Sequence, residues 1–185
     1  MNMRLLFFLF TLIPLSVQSQ DIFNGTFDRS FYLPGFDGEV LTSVTFDGEL
    51  YIGRNFTSYN DQLLPGIAKW NGSNWAKISD ADHSNSIEGG VNSLFVYDGK
   101  LVVGGYYEYE GTSRFSNIGY WDGENWHAMG DGLNGQVRKL IEFQGELIAL
   151  GSFQKSGVRS VGGIGKWNGQ DWTPLDFRFP SGASI

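Results

Sequence analysis

All six tryptophans of the chain fall into three copies of one hexapeptide, Trp-Asn/Asp-Gly-x-Asn/Asp-Trp. The copies run from Trp70 to Trp75, Trp121 to Trp126 and Trp167 to Trp172, so the unit recurs after 51 and then 46 residues. Self-similarity at a fixed period of roughly 20–50 residues marks a chain built from stacked supersecondary units. Other positions keep the same register. Val40, Val91 and Val137 open β-rich runs, followed by Phe46, Tyr97 and Phe143, then Gly48, Gly99 and Gly145, then Leu50, Leu101 and Leu147. Phe56, Tyr107 and Phe153 come next, and Ile67, Ile118 and Ile164 each stand three residues before the first Trp. The difference in period is confined to the link between Trp75 and Val91.

Each unit reads as four short strands. In the first, Val40–Phe46 and Glu49–Gly53 flank the turn signal Asp47-Gly48, and a polar connector through Tyr59 and Pro65 leads to Ile67–Trp70. Asn71-Gly72 predicts a type I′ hairpin, which needs positive φ at both central residues, and Asn74–Ile78 closes the unit. Four strands per 46–51 residues is the size of a propeller blade. The predicted fold is therefore all-β, with propeller-type blades of four antiparallel strands. Three units are complete: residues 40–90, 91–136 and 137–178. Residues 20–39 read as part of a preceding blade, since Phe23-Asn24-Gly25 resembles a worn hexapeptide, and 179–185 as the start of a further unit or a tail. Propellers close with about 4–8 blades. The expectation is thus a fragment of a longer protein whose missing blades complete the ring, a ring completed by self-association, or an open array.

Residues 1–19 have the layout of a secretory signal peptide: Arg4, an apolar run from Leu5 to Leu15, and Val17-Gln18-Ser19 before the expected cut after Ser19. The run is about half of the ~20 residues a span requires, so no membrane span is expected after cleavage. The localisation predicted is secreted or cell-surface. A net charge of −7 argues against nucleic acid as a partner. The absence of Cys excludes disulfides, thiolate metal sites and cysteine nucleophiles.

These residues resemble secreted bacterial repeat proteins of the kelch-like, galactose-oxidase-type β-propeller class. Val91-Asn-Ser-Leu94, Tyr97-Asp-Gly99, Leu101-Val-Val-Gly-Gly105 and Ile118-Gly-Tyr-Trp-Asp-Gly123 carry the resemblance best. It implies a secreted or surface role, with a sorting or anchoring domain often following the repeats. Only Gly104-Gly105 keeps the double glycine, and Lys69 and Lys166 stand where Tyr120 does. The copper-radical chemistry of one member of the fold needs a Cys that this chain lacks, and fold alone would not carry that chemistry across.

No catalytic motif appears, and no cofactor or metal site is expected: two His at positions 83 and 127 cannot build a three-His site. Glu108 and Glu110, with Asp80 and Asp82, are the carboxylates available to a glycosidase-type pair. The aromatics outside the repeat register are better candidates for ligand contact. These are Tyr59 in the first connector and Tyr106, Tyr109 and Phe115 in the second, with His83 in the extended link. The function expected is a non-catalytic binding or adhesion scaffold for a protein or glycan. The alternative is part of a carbohydrate-active propeller enzyme that uses carboxylates.

Overall fold

The computed structural model describes residues 35–79, 87–109 and 115–175, so the signal peptide, the worn hexapeptide at 23–25, His83 and the last ten residues lie outside the described residues. The fold is all-β, and each repeat forms one four-stranded antiparallel meander. Sheet one runs in the order β1 (Val40–Phe46), β2 (Glu49–Arg54), β5 (Ile67–Trp70), β6 (Trp75–Lys77), with a small hairpin of β3 (Ser58–Tyr59) and β4 (Gln62–Leu63) in its connector. Sheet two is β7 (Glu88–Tyr97), β8 (Lys100–Tyr109), β9 (Phe115–Trp121) and β10 (Trp126–Ala128). Sheet three is β11 (Val137–Phe143), β12 (Glu146–Gly151), β15 (Ile164–Trp167) and β16 (Trp172–Pro174), and its connector holds β13 (Lys155–Ser156) and β14 (Arg159–Ser160).

The type I′ turns fall between the first two strands of each sheet. Asp47-Gly48, Asp98-Gly99 and Gln144-Gly145 all have positive φ at both residues, and this backbone matches the twist of a tight hairpin. The hexapeptides turn differently, which corrects the expectation for Asn71-Gly72. Trp70 pairs directly with Trp75, leaving four residues in the loop, and only Gly72 takes positive φ there. Asn71 Oδ1 instead accepts the amides of Ser73 and Asn74, each at 3.0 Å. Asp122 and Asn168 repeat this in their own loops, so Asn or Asp opens the loop because its side chain caps it. The two Trp rings meet in near-identical tilted pairs, with centroids 5.4, 5.2 and 5.3 Å apart.

The sheets pack face to face, and their first strands carry the main contacts: β7 lies against β1 and β2, and β11 against β7 and β8. Two apolar layers result. One joins Phe46, Tyr51 and Ile67 of sheet one to Val91, Leu94, Leu101 and Trp126 of sheet two. The other joins Val102 and Ile118 to Val137, Leu140, Leu147 and Trp172. The seams repeat in detail. Leu94 N donates to Thr42 Oγ1 at 3.1 Å, and Leu140 N donates to Ser93 Oγ at 3.0 Å. A Cβ on Gly53 would sit 2.5 Å from Val91 Cγ1, and one on Gly104 would sit 2.6 Å from Val137 Cγ1, so glycine admits the next sheet's valine at both seams.

Register also identifies the outer faces. Leu101 and Leu147 have no exposed surface, whereas Leu50, at the same position on sheet one, is 39 % exposed. At the other end, Phe46 is buried and Phe143 is 56 % exposed. At these two positions burial thus follows whether a neighbouring sheet covers the side chain.

Candidate functional site: a groove between the second and third sheets

The connector aromatics separate by burial. Tyr106 is 68 % exposed. Tyr59 is half-buried, its ring 4.8 Å from Phe36, and packs with Phe56 and Trp75 on sheet one. Tyr109 and Phe115 are buried and stacked at 4.7 Å inside the layer between sheets one and two, out of reach of a ligand in solution. The cause is local. In sheet two the outer ladder continues through Glu108–Ser116 and Tyr109–Phe115, where sheets one and three detach a separate hairpin, so residues expected on a connector lie in the sheet. Phe115 also folds over Gly119, where its ring leaves no room for a Cβ. Glu108 is exposed, and Glu110, Asp80 and Asp82 lie outside the described residues.

A groove of about 820 Å³ opens instead at the opposite end of the sheets, among the turns that join first to second and third to fourth strands. That volume lies within the usual range for small-ligand clefts. Sheet two contributes Tyr97, Lys100, Val102 and Tyr120; sheet three contributes Glu142 and Trp167. Tyr97 Oη donates to Gly145 O at 3.1 Å and spans the two sheets. Lys100 Nζ lies 4.9 Å from the centroid of the Tyr120 ring and 3.9 Å from Asp98 Oδ2. Tyr120 stacks on His127 with rings 4.8 Å apart, and His127 Nε2 is 2.6 Å from Asp122 Oδ2. Partial desolvation opposes ionisation of Asp122, but the Asn125 and Glu124 amides and His127 together hold its carboxyl below the usual range. The aromatic wall is therefore braced from behind.

The equivalent space between sheets one and two is filled. Tyr51 stands there at the position of Val102, 2 % exposed, with its ring 5.8 Å from Phe46. Burial, with the Glu49 carboxylate beside it, pushes the Tyr51 phenol far above its ordinary value. It therefore stays protonated and donates to Glu49 Oε2 at 3.3 Å. Opposite it, Trp121 is only 4 % exposed and Val96 packs against the same layer. In the second seam Val102 replaces Tyr51, Glu142 replaces Val96, and Trp167 remains half-buried. The first seam is closed over Tyr51; the second buries Val102 just as fully, and the groove opens above it around Lys100, Glu142 and the half-buried Trp167.

Sequence reasoning passed over Tyr97 and Trp167 because their repeat positions read as core, and did not single out Lys100, Tyr120 and Glu142, whose counterparts in the other units are charged or mixed. The signal lay in the differences between copies: Tyr51 against Val102, Val96 against Glu142, and Lys69 against Tyr120. No protein-family model matches this chain, and a search of curated proteins finds no relative.

Proposed function

We propose that this chain is a repeat segment of a secreted, kelch-like β-propeller that serves as a non-catalytic binding scaffold outside the cell, with a protein or glycan as its partner. The observation that carries this reading is the convergence of the three sheets on their first strands, with seams that repeat the same glycine–valine contact and the same hydroxyl–amide bond. Blades set around an axis meet in this way. The signal-like residues 1–19 supply the route of export. Binding is favoured over catalysis by the nature of the groove. Its aromatic faces, with scattered carboxylates and an ammonium group, suit contact with a ligand. Completion of the ring falls to further blades or to another copy. At sheet three such a neighbour must seat against Leu150, which stands where Gly53 and Gly104 admit a valine.

The test is to express the full chain with a C-terminal tag in an exporting bacterial host and follow it by mass spectrometry. The expected product lies outside the cytoplasm, starts at Gln20, and is retained on surface polysaccharide or protein without changing either. Retention in the cytoplasm, or release of shortened sugars from the polysaccharide, overturns the reading.

A further inference from the structure

We infer that the groove between sheets two and three takes an arginine side chain of a partner protein, stacked on Trp167 and paired with Glu142; this rests on the binding-scaffold reading and names its site and partner class. Register sets the two residues on one face. Glu142 pairs with Leu147, and Trp167 stands one step beyond the ladder pair Ile148–Lys166, level with Leu147 on its other side. They are thus two strands apart, about 10 Å across the sheet, with the buried Leu147 between them. Val96, Leu101 and Trp121 form the same row in sheet two, where sheet one closes over it and leaves Trp121 buried. In sheet three one end of the row is charged and exposed and the other is half-buried, and both line the groove.

Charge selects the occupant. Glu142 has neither an ion pair nor a hydrogen bond among the described residues. The opposite wall shows what an aromatic face beside a carboxylate does with a cation. Lys100 Nζ lies 4.9 Å from the centroid of Tyr120 and 3.9 Å from Asp98 Oδ2, an ammonium held by a ring and an acid together. Sheets one and three carry ion pairs at those positions instead, Glu49–Lys69 at 2.8 Å and Glu146–Lys166 at 2.9 Å. Trp167 and Glu142 make a second aromatic–carboxylate pair in the same groove, and among the described residues no cation fills it. Asp98, Glu142 and Glu146 against Lys100 and Lys166 leave one negative charge there, which a cationic side chain neutralises. The spacing favours guanidinium over ammonium. A planar guanidinium lies flat on an indole while its forked N–H groups reach a carboxylate, and its weaker hydration lowers the cost of entry.

The experiment titrates the full-length exported protein with a glycine-spaced arginine peptide and with its lysine, citrulline and glutamate counterparts; cellohexaose is the glycan comparator. Calorimetry and tryptophan emission give the readouts. The expected result is salt-sensitive binding of the arginine peptide, weaker binding of the lysine peptide, and none of the other probes. Glu142→Gln weakens arginine-peptide binding about tenfold. Glu124→Gln removes an equal charge outside the groove and changes binding by less than about twofold. Both positions are exposed, so both variants should keep the unfolding midpoint of the parent. Lys100→Gln empties the Tyr120–Asp98 pair and should tighten binding; a loss of affinity there counts against the assignment. Equal weakening by the two glutamate variants means diffuse charge attraction and overturns the groove as the site. No response to the arginine peptide, or binding of the citrulline peptide or cellohexaose in its place, overturns the arginine assignment. The surface-retention assay then judges the scaffold reading separately.

Discussion

Leu50, Leu101 and Leu147 occupy one repeat position in three sheets, which makes Leu→Ala at each an internal test of how the sheets are stacked. Leu101 and Leu147 are fully buried in the two seams. Truncating a buried leucine removes about three methylene equivalents at ~0.8 kcal/mol each and leaves a cavity, for a total of roughly 2.7–5 kcal/mol. Leu50 is 39 % exposed, so it forfeits only about three-fifths of the transfer free energy, ~1.5 kcal/mol, and opens no closed cavity. Urea unfolding followed by tryptophan emission reads the difference directly, because the tryptophans sit as one pair per sheet. With a slope near 2 kcal/mol/M, the midpoint should fall by about 1.5–2.5 M for Leu101→Ala and Leu147→Ala, and by less than about 1 M for Leu50→Ala. The measurement belongs at a concentration where the chain is monomeric. A Leu50→Ala penalty equal to that of Leu101→Ala would place a neighbour over sheet one and refute its assignment as an outer face.

Further predictions concern charge, space and backbone. Asp37 accepts the Thr57 hydroxyl and the Ser58 and Thr57 amides, which hold its carboxyl far below the usual range. A lowered folded-state value contributes stability that is present above the unfolded value near pH 4 and is lost as pH falls further. Asp37→Asn should fold, since Asn134 accepts the amides of Gln154 and Lys155 at the same place in sheet three. Its melting temperature should fall less between pH 5 and pH 2 than that of the parent; an unchanged acid slope would count against this role. Gly104→Ala forces a Cβ into Val137 and should cost about 1–3 kcal/mol in thermal unfolding; Leu150→Ala, where no next sheet presses, should cost less. Gln144 holds φ at 53° in its type I′ turn, where the other two sheets use Asp. Gln144→Asn should therefore raise the melting temperature modestly, and a fall would mean that the side chain makes a contact which the turn geometry does not reveal.

The repeat made the strand order legible, because Trp, Gly and Leu at fixed offsets can satisfy only one meander per period. Turn chemistry was read half correctly. Asp-Gly and Asn-Gly look alike in sequence, yet the spacing of paired strands, two residues in one case and four in the other, decides which becomes type I′. Tyr109 and Phe115 illustrate a harder limit. Their counterparts in sheet one lie around the detached hairpin, so a connector was the natural reading, and only the extended ladder of sheet two draws them inside. The groove was hidden for the opposite reason. Its aromatic and valine lining repeats positions that elsewhere build core, and the departures between copies, Val102 for Tyr51 and Glu142 for Val96, become visible only when one seam is superposed on the next.

The seams also give the array a direction. Sheets one and two each offer their follower a hydroxyl, Thr42 or Ser93, and a glycine notch, Gly53 or Gly104. Sheet three carries Lys139 and Leu150 at those places. A second copy bringing Val40 to that face would meet a leucine where its predecessors met a hollow, and an ammonium where they met a hydroxyl. Head-to-tail addition of identical chains, the geometry that runs on into fibres when nothing stops it, is thereby discouraged at one end by two residues. Phe143 can remain uncovered on that face without templating an endless stack.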